Sequence, residues 1–240
     1  MSARGWFIAG TDTGVGKTRV TVALLRALTA RGVPAVGMKP VAAGTDAAAS
    51  PPVNEDVALL RAASFATVGA TGAAGAGLAA ADINPYCFEW PISPHLAARR
   101  AGVSIEPAAI AAAYARLAGR CEVVLVEGAG GWLCPIGEQA TMASIAAELA
   151  LPVLLVVGLR LGCLNHALLS AAAIAAAGLP LFGWVGSVID PDMAALEDNI
   201  ASLERRLPGP RLGLLPFSRE RTGDAACLAA AAAALQAAAP

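Results

Sequence analysis

The sequence predicts an α/β fold, with a mainly parallel β-sheet flanked by helices on both faces. Short runs of β-forming residues alternate along the chain with alanine-rich segments of helical character. The clearest run, CEVVLVEG at 121–128, has four consecutive apolar residues, and LPVLLVVG at 151–158 is similar. Strands that are apolar on both faces are typical of a parallel sheet covered by helices on each side.

The predicted elements follow one another with short connections. Strands are expected at 5–9, 35–40, 121–128, 151–158, 181–189 and 211–217. Helices are expected at 18–30, 94–101, 107–118, 141–150, 163–177 and 192–206. The Gly/Ala-rich segment 64–82 lacks periodicity and is predicted to be a flexible loop, and the alanine tail at 225–240 either closes the fold as a helix or frays. Residues 1–240 are therefore predicted to form a single domain.

Composition excludes several classes of function. The net charge is −1 and no basic cluster occurs, so nucleic-acid binding is not expected. No apolar run reaches the roughly 18 residues of a membrane span. The first predicted strand begins too early to leave room for a secretory signal, and the five cysteines form no CxxC pair. These features predict a cytoplasmic protein with reduced thiols and without a disulfide framework.

A glycine-rich stretch, GTDTGVGKT, follows the first strand and predicts a phosphate site. Five residues separate Gly10 from Gly16, one more than in the usual phosphate-binding loop. A strand, a glycine turn and a helix near Lys17 would direct backbone N–H groups at one point. Lys17 would add charge for the outer phosphates, and Thr18 a hydroxyl for Mg²⁺. A plain glycine turn before a helix cap is the alternative, but the preceding buried strand favours a P-loop NTPase-like domain.

An acidic residue is also expected at the end of a neighbouring strand, where it would hold the metal. Glu127 stands where the apolar run of 121–128 stops. Gly128, Gly130 and Gly131 follow it and permit close backbone approach to a ligand. A solvated loop glutamate is the alternative, but the C-terminal end of a parallel strand is where ligands bind in such sheets.

The roles of two further residues, Lys39 and Asp56, are not decided by the sequence pattern alone. Lys39 follows a strand and precedes a proline, where a lysine is commonly a surface residue with a buried stem. The same strand end would, however, lie beside the phosphate loop. Asp56 belongs to an acidic pair before an apolar helix, and such pairs commonly serve only as N-terminal caps.

The motifs together resemble dethiobiotin synthetase. GTDTGVGKT, KPVAAG, NPY with SPH, VEGAGGW and LGCLNHALL occur in the order seen in that family, from about residue 5 to 217. The resemblance implies a homodimer that closes the ureido ring of dethiobiotin from 7,8-diaminopelargonic acid, CO2 and ATP, with Mg²⁺. One amine captures CO2 as a carbamate, the carbamate attacks the γ-phosphate, and the second amine displaces phosphate.

The resemblance also implies roles for individual residues. Lys17, Lys39 and Thr13 act in catalysis, and the metal ligands are Thr18, Asp56 and Glu127. The nucleotide contacts are Gly14, Val15, Gly16, Lys17, Thr18, Arg19, Asp56, Glu127, Gly128, Ala129, Gly130, Ser187, Val188, Leu215, Pro216 and Phe217. The substrate contacts are Thr13, Lys39, Ala43, Gly162, Cys163, Leu164 and Asn165, the last four receiving a carboxylate across the dimer interface.

Two positions depart from the family pattern. Ala43 stands where the family commonly has a serine that contacts the substrate, so no side-chain hydrogen bond is available there. Ser187 stands where the family often has an asparagine that binds the adenine edge. A serine hydroxyl cannot make that bidentate contact, so a strict preference for ATP is not expected.

Three other classes of function compete with the synthetase. A septum-positioning or partition ATPase shares the loop type, but normally has a second lysine early in the loop and often a cationic membrane-binding tail, which residues 225–239 lack. A cobyrinate-type amidotransferase would need a glutaminase domain for which the chain has no room. A non-enzymatic nucleotide-binding module leaves Lys39, Glu127 and the second anion-binding helix unexplained.

Overall fold

A computed structural model describes residues 3–45, 53–64, 78–218 and 223–238. Six strands form one parallel sheet in the order β2-β5-β1-β6-β7-β8. These strands are β1 (Arg4–Gly10), β2 (Ala35–Met38), β5 (Val123–Glu127), β6 (Val153–Leu159), β7 (Leu181–Val188) and β8 (Arg211–Leu215). Two three-residue strands, β3 (Val41–Ala43) and β4 (Tyr86–Phe88), pair in parallel as a separate small sheet.

Helices connect the strands, and most start at a recognisable signal. The helices are α1 (Lys17–Ala30), α2 (Glu55–Ala63), α3 (Ala80–Ile83), α4 (Pro94–Ala101), α5 (Pro107–Ala118), α6 (Met142–Glu148), α7 (Cys163–Ala176), α8 (Leu196–Arg206), α9 (Asp224–Cys227) and α10 (Ala229–Ala237). α4 and α5 begin with proline, which suits the first helical position because its missing N–H would have no partner there. Thr141 and Ser144 form a reciprocal capping box at the start of α6.

Alternate residues of β1 enter two different cores, one on each face of the sheet. Trp6 and Ile8 pack with α1, α2 and α10, whereas Phe7 and Ala9 pack with the helices between α4 and α8. The central strands β5 and β6 are buried throughout. This two-sided burial is the reason that their sequences are apolar without alternation, and it confirms the predicted fold class.

The predicted elements agree with the structure except around the small sheet. All six predicted strands and all six predicted helices are present, with ends that differ by up to four residues. The strands β3 and β4 and the helix α3 were not predicted, because segments of three or four residues carry too little periodicity. Of the predicted loop at 64–82, residues 80–82 are helical and belong to α3, and residues 65–77 lie outside the described residues. The tail forms α9 and α10.

The strand order places a crevice at the C-terminal end of β1. The chain runs from β1 to one side of the sheet and later returns to place β5 and β6 on either side of β1. Such a reversal leaves space above the strand ends, where ligands bind in open α/β sheets. The ends of β1, β2, β5 and β7 therefore position the residues of the candidate site.

Candidate active site

The loop between β1 and α1 has the backbone of a phosphate-binding loop. Gly14 and Gly16 have φ angles of 73° and 91°, a left-handed region that favours glycine. A Cβ atom at Gly10 would lie 2.8 Å from Lys17 Nζ, so this glycine makes room for the lysine. Helix α1 begins at Lys17, directly after Gly16, and its first amides have no partner within the helix.

Lys17 folds back onto the loop. Its Nζ donates to the main-chain carbonyl of Asp12 at 2.8 Å, and its side chain is 7% exposed. Burial, assisted by the nearby positive charge of Lys39, lowers the pKa of Lys17 to about 8. The nearby carboxylates do not fully offset the cost of burying this ammonium, so a bound anion would stabilise its charge.

Lys39 lies in the same crevice, at the centre of a charged cluster. Its Nζ is 2.5 Å from Glu127 Oε1 and 2.8 Å from Asp56 Oδ2. Burial disfavours its charge, but Glu127 and Asp56 more than offset this and raise the pKa of Lys39. For Asp56, burial is likewise outweighed by Lys39, which lowers the pKa of Asp56. Both groups are therefore charged at neutral pH.

The structure resolves the two alternatives that the residues alone left open. Lys39 is 5% exposed, so it is not a surface lysine. Asn54 caps α2, because its side chain accepts from the Val57 amide. Asp56 is consequently free of the capping role, and its carboxylate bonds Lys39 instead.

The residues at this position fit a magnesium ion. Thr18 Oγ1 donates to Glu127 Oε1 at 2.7 Å, so the predicted ligands Thr18 and Glu127 are in contact. Asp56 accepts from Lys39, which also bonds Glu127, and interacts directly with the Thr18 side chain. Glu127 Oε2 is buried and has no hydrogen-bond partner among the described residues. Hydroxyl and carboxylate oxygens are the donors that Mg²⁺ prefers, usually one or two carboxylates completed by substrate phosphates and water.

The extra length of the phosphate loop lies on the β5 side. A Cβ atom at Gly130 would be 3.6 Å from Thr13 Oγ1, and one at Gly131 would be 3.7 Å from the carbonyl of Thr11. The glycine turn after β5 therefore packs on the lengthened first half of the loop. Asp12 also accepts from the Thr13 amide and from Arg160 at the end of β6.

These groups line one open cleft of about 720 Å³. The predicted site residues that line it are Thr13, Gly14, Gly16, Lys17, Thr18, Arg19, Lys39, Ala43, Asp56, Glu127, Ala129 and Gly130. Ala43 reaches the cleft because it ends β3, a strand that the sequence did not predict. The cleft is large enough for a nucleotide together with a small substrate.

Other predicted nucleotide contacts lie outside this lining. Val15 is buried against Gly158, and the absent side chain of Gly128 makes room for Phe7. Val188 is buried, while Pro216 and Phe217 are exposed beyond the end of β8.

Ser187 lies beneath the phosphate loop. A Cβ atom at Gly16 would be 2.7 Å from Ser187 Oγ, and this buried hydroxyl has no partner among the described residues. Leu215 of β8 is its partner in the sheet register. The ends of β7 and β8 therefore flank the loop on the side opposite Glu127.

The second predicted anion site lies at the start of α7. The helix begins at Cys163 after Gly162, whose φ of 94° is left-handed. Leu164 and Asn165 occupy its first turn, whose amides point out of the helix. None of these four residues lines the cleft described above.

Three groups of cleft residues were not anticipated. Asn54 donates to the Gly44 carbonyl at 2.6 Å and lines the cleft beside Asp56. Ile92 and Ser93 also line the cleft, and Cys134 adds a thiol whose pKa is raised by burial. Two of these residues carried a sequence signal: Asn54 is an asparagine directly before an acidic helix start, and Ser93 begins the SPH motif.

The fold and the cleft define a P-loop nucleoside-triphosphate-binding protein. A family described as an AAA domain matches residues 4–224. The ATP-dependent dethiobiotin synthetase BioD of Aromatoleum aromaticum is 49% identical over 213 residues, covering 89% of this chain and 90% of that protein. The same enzyme of Ralstonia nicotianae is 50% identical over 210 residues, covering 88% and 87%. The chain belongs to the dethiobiotin synthetase family.

Solved structures share the fold at much lower identity. The MinD cell division ATPase of Pyrococcus furiosus has a TM-score of 0.57 at 18% identity, covering 98% of this chain and 99% of that one. A chain of the MinC:MinD cell division protein complex of Aquifex aeolicus has a TM-score of 0.58 at 15% identity, covering 99% of this chain and 98% of that one. At this identity the likeness shows the fold alone, so it is no evidence for the septum-positioning function considered in the sequence analysis. Within the described part of the chain, no helix is both long and apolar enough to cross a membrane.

Proposed function

We propose that this chain closes the ureido ring of dethiobiotin from 7,8-diaminopelargonic acid, CO2 and ATP. Its family makes it an ATP-dependent ligase that forms a C–N bond in biotin biosynthesis. The observation that best supports the detailed chemistry is the pair of buried ammonium groups, Lys17 and Lys39, at the phosphate loop.

Phosphoryl transfer to a carbamate brings two anions together. The carbamate oxygen forms a bond to the γ-phosphorus while the bond from that phosphorus to the bridging oxygen of ADP breaks. The chain supplies positive charge and positioning for this step rather than a covalent nucleophile. Lys17, which donates to a main-chain carbonyl, and Lys39, fixed by two carboxylates, are the groups that neutralise the charge.

Magnesium is the expected metal. Thr18, Asp56 and Glu127 would hold it, and this assignment is supported by Glu127 Oε2, which is buried and accepts no hydrogen bond from any described residue. When bound, the ion would supply charge neutralisation at the phosphates. In this chain Glu127 also orients Lys39, so its carboxylate links the metal position to the ammonium that faces the substrate.

The substrate side of the cleft is the wall that contains Thr13 and Ala43. We expect Thr13 to contact the carbamate, since its hydroxyl lies on the lengthened part of the loop. Ala43 has no side-chain donor, so Asn54 and Ser93 are the nearby polar groups able to replace a serine at that position.

The start of α7 would serve a second copy of the chain. Gly162, Cys163, Leu164 and Asn165 lie outside the cleft of their own chain, as expected if they receive a substrate carboxylate across a homodimer interface. Leu161 is 91% exposed and Leu169 62% exposed beside these residues, and an interface would cover such apolar side chains. The expected location of this homodimer is the cytoplasm.

The nucleoside would leave the phosphate loop on the side of β7 and β8. Glu127 and Lys39 occupy the β5 side, so the γ-phosphate end belongs there. Ser187, Leu215, Pro216 and Phe217 lie on the other side, where Ser187 cannot read an adenine edge in two places. We therefore expect weak discrimination among the bases of nucleoside triphosphates.

The test is a phosphate-release assay with diamine, bicarbonate, Mg²⁺ and a panel of nucleoside triphosphates. Release should require the diamine, bicarbonate and Mg²⁺ together, and mass spectrometry should detect dethiobiotin. Several triphosphates should support similar rates at saturation.

Phosphate release that is independent of diamine or bicarbonate would refute the synthetase mechanism. Strong selectivity for ATP would leave the synthetase in place but refute the expectation drawn from Ser187. The Arg116→Gln variant is a suitable control, because Arg116 pairs with Asp82 and neither residue lines the cleft.

A further inference from the structure

An ion pair beside the phosphate loop has no part in the chemistry proposed above. Arg19 Nε and Nη2 donate to Asp224 Oδ2 and Oδ1, both at 2.6 Å. The two side chains are 11% and 9% exposed. Among the ion pairs of the described residues, only Lys39–Glu127 is comparably buried. A two-point arginine–carboxylate contact of this kind fixes orientation as well as distance.

Arg19 is the third residue of α1, two positions after Lys17. Its side chain lines the active cleft and also a small cavity of about 70 Å³ between α1, α2 and α9. A cation in the first turn of a helix is unfavourable because the helix dipole is positive there. Asp224 offsets this cost, and holds the guanidinium at the border between the cleft and the small cavity.

Asp224 belongs to the part of the chain that follows β8. This strand ends at Leu215, whose sheet partner Ser187 lies under Gly16 of the phosphate loop. The chain is thus fixed at the edge of the loop where it leaves the sheet. A second anchor follows at Asp224, which bonds Arg19 of α1. Helices α9 and α10 then pack against α1. Residues 216–218 and residue 223 are the described positions between the two anchors.

We propose that Arg19 and Asp224 are positioning residues for the nucleoside half of the bound triphosphate. The pair holds the C-terminal segment against the first turn of α1, on the side where ribose and base leave the phosphate loop. This inference rests on the proposed nucleotide site. It requires that the pair contributes to the binding of ATP but not to the binding of a triphosphate without a nucleoside.

The experiment compares Mg²⁺-ATP with Mg²⁺-tripolyphosphate in the Asp224→Asn variant, by calorimetry or by displacement of a fluorescent nucleotide. We expect the dissociation constant of ATP to rise about tenfold, the size of one lost positioning contact, while that of tripolyphosphate changes less than about twofold. The KM for ATP should rise with little change in kcat. Arg116→Gln, which removes a remote arginine–aspartate pair, should change none of these quantities.

Two further measurements keep the inference decidable if Asp224→Asn folds poorly. The double variant R19M/D224L replaces both charges by apolar groups, which buried ion pairs often tolerate, and should show the same selective loss. In the unaltered protein, ATP should slow hydrogen exchange at residues 223–228 more than tripolyphosphate does.

The inference is overturned if the dissociation constants of ATP and tripolyphosphate rise equally in the variants, since the pair would then act on the phosphate loop. It is also overturned if neither dissociation constant rises, or if both ligands slow hydrogen exchange at residues 223–228 to the same extent. These binding measurements do not require turnover. A failure of the synthetase assay in the unaltered protein is therefore distinguishable from a failure of this inference.

Discussion

The two ends of the candidate nucleotide site are built differently. At the β5 end, two cations and two carboxylates lie together, and only Asp56 of the four is substantially exposed; the four are Lys17, Lys39, Asp56 and Glu127. At the β7–β8 end, Ser187 offers a buried hydroxyl that has no partner in the described part of the chain, and Pro216 and Phe217 are exposed. The first end is fixed by charge, whereas the second has few polar groups able to recognise a base.

This difference indicates which half of the nucleotide governs function in this chain. Groups that face the reacting phosphate must be pre-organised, because charge develops there in the transition state. Groups that face the base contribute binding and selectivity, and substitutions there leave the chemistry intact. Changes at the β5 end should therefore reduce turnover strongly, and changes at the β7–β8 end should be mild.

The largest effect is expected from Lys39→Ala. The change removes the ammonium that faces the reacting groups, so kcat should fall by about 10³-fold, which effectively abolishes ring closure. Dethiobiotin formation in single-turnover experiments measures this loss. Full activity in this variant would remove Lys39 from the mechanism.

Stability must be followed in the same variant. The carboxylate of Glu127 is fully buried and would lose its ion-pair partner, at a cost of about 3–5 kcal/mol. The double variant K39A/E127Q removes that unpaired charge and should recover most of the unfolding free energy while staying inactive. Thermal melts followed by circular dichroism separate this loss of stability from the loss of chemistry.

An intermediate effect is expected from pH, acting through Lys17. The free protein loses a proton from Lys17 as pH rises through its pKa of about 8, and a bound phosphate would raise that pKa again. ATP binding at pH 8 should therefore take up about half a proton, and its dissociation constant should rise by up to about tenfold per pH unit above 8.

Calorimetry in buffers of different ionisation enthalpy measures this proton uptake. Lys17→Arg keeps its charge throughout the range and should abolish the uptake, which makes it the matched control. An unaltered protein that binds ATP at pH 8 without taking up protons would contradict the assignment of Lys17 as the phosphate ligand with a lowered pKa.

The smallest effect is expected from Ser187→Ala. The hydroxyl has no partner among the described residues, so its removal should change the unfolding free energy by no more than about 1 kcal/mol. The KM for ATP should change less than about twofold, because no base contact is lost. Chemical denaturation and steady-state kinetics measure both quantities. A tenfold rise in KM would show that Ser187 contacts the nucleotide. The β7–β8 end of the site would then contribute more to nucleotide binding than we expect.

Much of the fold was predictable because its signals are local. Buried strands such as Val153–Leu159 are apolar throughout, and helices such as α4 begin with a proline that marks their first residue. The small sheet of β3 and β4 was not predictable, because three-residue strands depend on a partner 45 residues away rather than on their own pattern.

The residues of the candidate site also fall into those with a local sequence signal and those that depend on distant contacts. The phosphate loop, Thr18 and Glu127 lie in contiguous motifs whose geometry follows from a strand, a turn and a helix. Lys39 and Asp56 had ordinary alternative roles, and only their contact with each other and with Glu127 excluded those roles. The pairing of Arg19 with Asp224 had no sequence signal, since 205 residues separate the two.

The sequence by itself determined the α/β class, the position of the phosphate loop and the resemblance to dethiobiotin synthetase. Each of these depends on residue types at fixed local spacing, which backbone geometry converts directly into structure. Only the tertiary structure decided that Lys39 is buried between two carboxylates, that the long loop packs on the glycine turn after β5, and that Ser187 lies beneath Gly16. Charge burial and side-chain contact between distant segments depend on how the whole chain packs, and local sequence does not encode them.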